Sequence, residues 1–219
     1  MNIRKIYEVE ALYRENMSIN GYEFGDGDLG ICVLGALRGD EVNQLYVCSQ
    51  LIRSLKEIES RDPSKIKRKI MIIPSANHYS LNISERFWAA DNTDINRMFP
   101  GYNQGETVQR IAAGIFDGIK DYPYGIQFTT NYISGDYIPH IRIMNTFLDE
   151  MNEAREFGMP YVIRREPRPY DTTTLNYNWQ VWDTKAFSLY TGASDRIDNE
   201  KSLMAFNAVL RFMNAIGVL

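Results

Sequence analysis

The residues of this chain that could do chemistry fall into three small groups. The first is Arg38 and Glu41, three positions apart and so about one helical turn from each other, a spacing that allows an ion pair. If the pair forms away from solvent it leaves a cationic pocket floor; if Arg38 points into water the pair is worth little. The second group is Arg97 and Arg142. A guanidinium presents a planar fork that matches a carboxylate; the blander reading is that Asp94 and Arg97 pair and shape their own loop. The third is the two histidines, His78 and His140, which with Glu41 make one candidate metal site. A solitary imidazole is more often simply hydrogen-bonded. Tyr190, at the end of an apolar run, can be read as a general acid, a stacking wall or plain packing. No phosphate loop, nucleophile elbow or Cys/His pair is visible.

These groups must be positioned by the elements around them. Ile31–Leu34 and Ile70–Ile73 are short apolar runs ended by Gly35 and Pro74, as expected of buried parallel strands. Between them, residues 42–60 place Leu45, Cys48, Leu51, Ile52 and Leu55 at helical spacing, so the unit reads strand, helix, strand with a right-handed crossover. The pattern continues with a helix over 107–120, a strand over 125–130, a helix over 145–158, strands at 161–163 and 186–189, and a last helix over 199–216. Alternation of this kind predicts an α/β fold with a single domain over residues 1–219. It predicts a mixed, largely parallel sheet flanked by helices on both faces. Gly25–Gly30 matches GxGxxG by letter, but a strand follows it and no helix opens from it, so it reads as a turn. The stretch 164–169, with two prolines, reads as an extended loop. Trp88, Trp179 and Trp182 read as core or rim.

Composition narrows the function classes. The 219 residues are 44% hydrophobic, enough for one substantial core. The formal net charge is −4, and the one basic run, at Lys65, Lys67, Arg68 and Lys69, leads straight into a strand, which argues against a nucleic-acid partner. No stretch has the length of a signal-peptide core or a membrane span, so a soluble, cytoplasmic protein with no membrane partner is expected. Two cysteines, Cys32 and Cys48, both on apolar patterns, read as buried thiols rather than a disulfide.

Gly35-Ala36-Leu37-Arg38-Gly39-Asp40-Glu41 ends a strand and opens a helix, where open α/β sheets place ligands. It resembles the GxxHGxE motif of the zinc carboxypeptidase superfamily, in particular its succinylglutamate desuccinylase and aspartoacylase branch. Pro74 to Asn77, Arg86, and Asp94-Ile95-Asn96-Arg97-Met98-Phe99-Pro100-Gly101 resemble that branch's Pro-x-x-Asn, Arg and Asp-x-Asn-Arg-x-Phe-Pro-Gly segments in order and spacing. Collinear with them are Thr107 and Arg110, Pro139 and Arg142, and residues 186–192. The resemblance covers residues 30–215 and leaves no room for the β-rich C-terminal domain of several relatives.

The resemblance implies a zinc held by a His and a Glu at i and i+3 and by a second His, with a late Glu as general base. In this chain those positions fall on Arg38, Glu41, Phe128 and Tyr190. Arg38 has no lone pair for a metal and Phe128 no donor atom. A degenerate zinc site without zinc or other cofactor is therefore expected, with Arg38 supplying the positive charge of the lost metal. The substrate-carboxylate positions are kept as Asn96 and Arg97, with Arg142 in a further matching segment. Three functions remain open from sequence. One is a pseudoenzyme that binds a carboxylate-bearing small molecule or peptide, or pairs with an active homologue or with itself. Another is a hydrolase of an N-acyl amino acid or peptide with a rebuilt site, such as Glu41, His78 and His140. The third is a structural subunit with a vestigial pocket.

Overall fold

The structure, a computed structural model, describes residues 1–10, 15–131, 133, 135, 137–148, 150–193 and 195–219. Its centre is an eight-stranded sheet, made of β1 (Asn2–Val9), β2 (Met17–Phe24), β3 (Leu29–Ala36), β4 (Lys69–Ser75), β5 (Tyr124–Thr129), β6 (His140–Met144), β7 (Val162–Arg165) and β8 (Lys185–Tyr190), in the order β1-β2-β4-β3-β5-β8-β6-β7. The four middle strands β4, β3, β5 and β8 run parallel, as do β6 and β7, whereas β1, β2 and the β6–β8 junction are antiparallel. The helices are α1 (Val42–Arg61), α2 (His78–Leu81), α3 (Thr107–Ile119), α4 (Met151–Arg155), α5 (Leu175–Val181) and α6 (Asn199–Ala215). None is long and apolar enough to cross a membrane.

The apolar runs of the middle strands are buried on both faces, which is why they lack alternation. On one face α1 and α6 cover Ile31, Val33, Ile70, Ile72, Ile126 and Phe128. There Phe212 of α6 stacks on Phe157, with ring centroids 4.0 Å apart, and meets Phe187 edge-on at 5.0 Å. Burying each of these rings stabilises by roughly 1.5–3 kcal/mol. On the opposite face α3 and α5 pack on Cys32, Leu34, Met71 and Ile73. Trp179 of α5 lies flat on β5 because the strand carries Gly125 there, where a Cβ would stand 2.7 Å from the indole. Trp88 and Trp179 are buried, and Trp182 is half exposed against Phe116. Cys32 and Cys48 are both buried and unpaired, and burial raises both thiols well above their ordinary range.

Two expectations need correction. Residues 145–158 are not one helix: only Met151–Arg155 is helical. Asn145 and Thr146 are instead drawn into a turn, the Asn145 N–H donating to Arg165 O and the Thr146 hydroxyl accepting from the Leu148 N–H. Short polar side chains of this kind compete with the helix for backbone groups. The stretch that opens at Arg164 is not wholly loop, since Arg164 and Arg165 pair with β6 as the end of β7. Strands β1, β2 and β6 and helix α5 carry no strong periodic signal in the sequence; β1 is an exposed edge and β6 holds its place by pairing.

The segment Asp94–Gly101 is clamped onto α3. Gly101 has a φ of +93°, and a Cβ there would sit 2.1 Å from the Ala113 backbone nitrogen. Gly101→Ala combines left-handed strain with a backbone clash and is expected to lower stability by about 2–3 kcal/mol. Urea unfolding checks this; an unchanged midpoint would mean that the loop is not held against α3.

Candidate functional site

The turn between β3 and α1 is built around one carboxylate. Glu41 accepts hydrogen bonds at Oε2 from the N–H groups of Leu37 (2.9 Å) and Arg38 (3.0 Å), and at Oε1 from the Thr130 hydroxyl (3.1 Å) and Arg38 Nη1 (3.3 Å). The ion pair expected from the i, i+3 spacing is therefore formed, and it is buried, with Arg38 5% and Glu41 0% exposed. Arg38 also donates through Nη2 to Asp94 Oδ2 at 2.8 Å. Burial works against the Arg38 charge, but Glu41 and Asp94 outweigh it and raise its ionisation further above the usual guanidinium range. Burial in turn pushes the Glu41 carboxyl upward, against the opposing pull of Arg38, its N–H and Thr130.

Asp94 thus pairs with Arg38 and not with Arg97. Its Oδ1 accepts from the Asn96 N–H at 3.0 Å, opening the 3₁₀ turn Ile95–Arg97, and Asn96 Oδ1 accepts from the Leu175 N–H at 3.1 Å, which ties this turn to the start of α5. Arg97 is left to donate to its neighbour's carbonyl, Asn96 O, at 2.9 Å.

Between this turn, α5 and the sheet lies a cavity of about 370 Å³, within the range of small-molecule sites. Its floor is a row of side chains in register across four strands: Gln127 of β5, Ser188 of β8, Arg142 of β6 and Ile163 of β7. Arg142 donates to the Tyr190 hydroxyl at 2.6 Å and lies over the Tyr190 ring at 4.2 Å. His140 stacks on the same ring, with centroids 4.5 Å apart and planes 8° off parallel. Tyr190 thus packs against two side chains of β6 at the cavity wall.

Among the described residues six arginines line the cavity, Arg38, Arg86, Arg97, Arg142, Arg165 and Arg168, against a single lining carboxylate, Asp171. Arg165 is neutralised by a bidentate pair with Asp171 (2.7 and 2.6 Å), and Arg86 bonds Asp40 at 2.5 Å. Arg97, Arg142 and Arg168 make no ion pair among the described residues. The net field in the cavity is positive, and an anion is what it attracts. Arg165, Arg168 and Asp171 carry no sequence motif; they reach the site because β7 and the loop after it fold back over the sheet, whereas Gln127 is placed there by β5 itself.

Two sequence assignments do not survive. Phe128 is not at the site: its side chain points to the opposite face, fully buried under α1 and α6, because side chains of a strand alternate. The residue that reaches Glu41 from the end of β5 is Thr130, two positions on. Nor do Glu41, His78 and His140 converge, since no three His, Cys, Asp or Glu side chains among the described residues are placed to hold a metal ion. His140 has its Nδ1 against Ile138 O at 2.9 Å, while His78 starts the short helix α2. Burial lowers the pKa of both imidazoles, which favours the neutral form. Around this carboxylate Arg38 has no lone pair to give a metal, both Glu41 oxygens accept hydrogen bonds, and Thr130 contributes only a neutral hydroxyl.

A mixed sheet covered on both faces, with the ligand cavity beside the ends of its parallel strands, is the architecture of the zinc carboxypeptidase class. Residues 29–216 match the family model described as the succinylglutamate desuccinylase/aspartoacylase catalytic domain. The chain belongs to this family.

Among solved structures it is similar to a succinylglutamate desuccinylase/aspartoacylase from Rhodobacter sphaeroides, with a TM-score of 0.78 and 19% identity over 92% of this chain and 60% of that one. A succinylglutamate desuccinylase from a Silicibacter species gives a TM-score of 0.77 and 16% identity over 92% and 61%. A metallo-carboxypeptidase from Burkholderia cenocepacia gives 0.75 and 10% over 98% and 64%. At these identities the likeness is one of fold, and the chain spans about three fifths of the length of these structures. No curated protein matches it in sequence.

Proposed function

We propose that this protein binds a carboxylate-bearing small molecule or peptide end without hydrolysing it, as a pseudoenzyme of its family that works alone or beside an active homologue. One observation carries the reading: a permanently charged guanidinium, Arg38, stands three residues before Glu41, where the family motif has a His, and holds the carboxylate in a buried ion pair. A divalent ion placed there meets a fixed positive charge within a few ångströms and finds the carboxylate already bonded. Arg97 and Arg142, with no carboxylate partner among the described residues, supply the forks for an anion.

Two measurements test this. Metal content by mass spectrometry, after incubation with zinc and buffer exchange, is expected far below one equivalent per chain. Glutarate at a hundredfold excess over its Kd is expected to stabilise the protein by about 2.7 kcal/mol, a rise in Tm of about 5–11 °C for a chain of this length. Arg97→Gln and Arg142→Gln should each shrink that rise. One tightly held zinc per chain, with amide hydrolysis lost to a chelator, would overturn the proposal and restore the hydrolase reading.

A further inference from the structure

We propose that Asn176 is a specificity-determining residue of this cavity, and that the ligand it selects carries a neutral amide in addition to its carboxylate. The inference rests on the carboxylate-binding reading above and says what the rest of the ligand is.

Asn176, in the first turn of α5, is 2% exposed and lines the cavity. Neither its Nδ2 nor its Oδ1 has a hydrogen-bond partner among the described residues. Buried polar atoms are paired in the great majority of cases, so each orphan needs an explanation. Among the described residues Asn43, Gln44, Asn77 and Gln180 each have only a single fully shielded atom without a partner. Asn96 and Asn178 are committed to the backbone, Asn96 to the Leu175 N–H and Asn178 to the carbonyls of Thr172 and Thr174. Among the described residues Asn176 is the one amide with both its donor and its acceptor fully shielded and without a partner, and it stands at a cavity wall.

Position explains what those two atoms face. Trp179 lies on Gly125 of β5. Asn176 is three residues earlier on the same helix and so on the same face. It therefore stands over the next inward-facing row of the sheet, where Gln127 is in register with Ser188 and Ser188 with Arg142. Along that row the side chains pass from a neutral amide through a hydroxyl to a guanidinium. Arg142 and Gln127 are two strand spacings apart, roughly 10 Å. A ligand whose carboxylate sits at Arg142 lays its remaining atoms over Ser188 and Gln127, beneath Asn176. A second carboxylate there would satisfy Nδ2 but set an oxygen against Oδ1. A group that offers a donor and an acceptor side by side satisfies both, and that group is an amide.

The test is calorimetric titration of the full chain with three probes of matched length: glutarate, its monoamide glutaramate, and its monomethyl ester, which keeps the carbonyl acceptor and lacks the N–H donor. Glutaramate is expected to bind at least about tenfold more tightly than the ester, because the ester leaves Asn176 Oδ1 unpaired. In Asn176→Leu the two should bind alike, the wild-type preference for the amide being lost with the side chain that reads it. Asn176→Ser is a second variant with the same expected loss of preference, should the leucine variant not fold. If glutarate binds and the wild type does not prefer amide to ester, or if Asn176→Leu keeps the preference, the assignment of Asn176 is wrong and the carboxylate pocket stands. If none of the three probes binds, both readings fall.

Discussion

Arg38→Ala is expected to destabilise the protein by about 3–5 kcal/mol at neutral pH, the range for removing one partner of a buried ion pair. For a chain of this length that corresponds to a fall in Tm of about 6–20 °C. The cost is not mainly the lost attraction. Glu41 is wholly buried and Asp94 nearly so, and without the guanidinium neither has a counter-charge in contact. Glu41 in the variant escapes by taking a proton, so the deficit should shrink as the pH is lowered towards 5. Removing the carboxylate as well, in Arg38→Ala with Glu41→Gln, should recover part of the loss by the same logic. A single variant as stable as the wild type would show that the guanidinium does not hold the β3–α1 turn to the 94–97 loop, and the proposal of Arg38 as a stand-in for a metal charge would go with it.

A second large effect comes from a carboxyl far from the cavity. Glu150 is 1% exposed, accepts from the Ala186 N–H at 2.9 Å and from Gln180 Nε2 at 3.2 and 3.0 Å, and burial pushes its pKa up to about 8 despite those bonds and the nearby Lys185. Its ordinary value is 4.5. Between these two values the folded chain holds a proton that the unfolded chain has released, so stability falls as pH rises through this window. The contribution is fully present below pH 4.5 and is lost by pH 8. At about 1.36 kcal/mol per pKa unit the loss amounts to about 3–5 kcal/mol. Glu150→Gln keeps the shape and cannot ionise, and its amide can donate to Gln180 Oε1, which has no partner among the described residues. Urea midpoints from pH 4.5 to 8.5 should decline in the wild type and stay nearly flat at this site in the variant. Parallel curves would show that Glu150 is not what titrates.

Much of the fold is legible in local pattern. The runs Ile31–Leu34 and Ile70–Ile73, the helix between them and the last helix all stand where their hydrophobic spacing puts them, because each buries a large apolar surface whose periodicity is set by its own backbone. The Arg38–Glu41 pair is legible for the same reason: three residues at a strand–helix turn are close whatever the rest of the chain does. Helix 145–158 misleads because its apolar spacing is real, while Asn145 and Thr146 are claimed by a turn that depends on β7 being there.

The cavity follows a different rule. Asp94 is 56 residues from Arg38 and Thr130 is 89 residues from Glu41, and nothing in either segment announces the other. Phe128 and Thr130 differ by an even number of positions along one stretch, yet one is in the core and the other at the site, since the strand has ended at Thr129 and its alternation with it. Residue types and short spacings in this chain thus suffice to show its α/β class and to set Arg38 one helical turn from Glu41. Which face each side chain takes, which carboxylate each arginine answers to, and that Asn176 lines the cavity with both amide atoms unpaired are decided by the tertiary structure, because strand order and packing join segments that are remote in sequence and carry no mark of their partners.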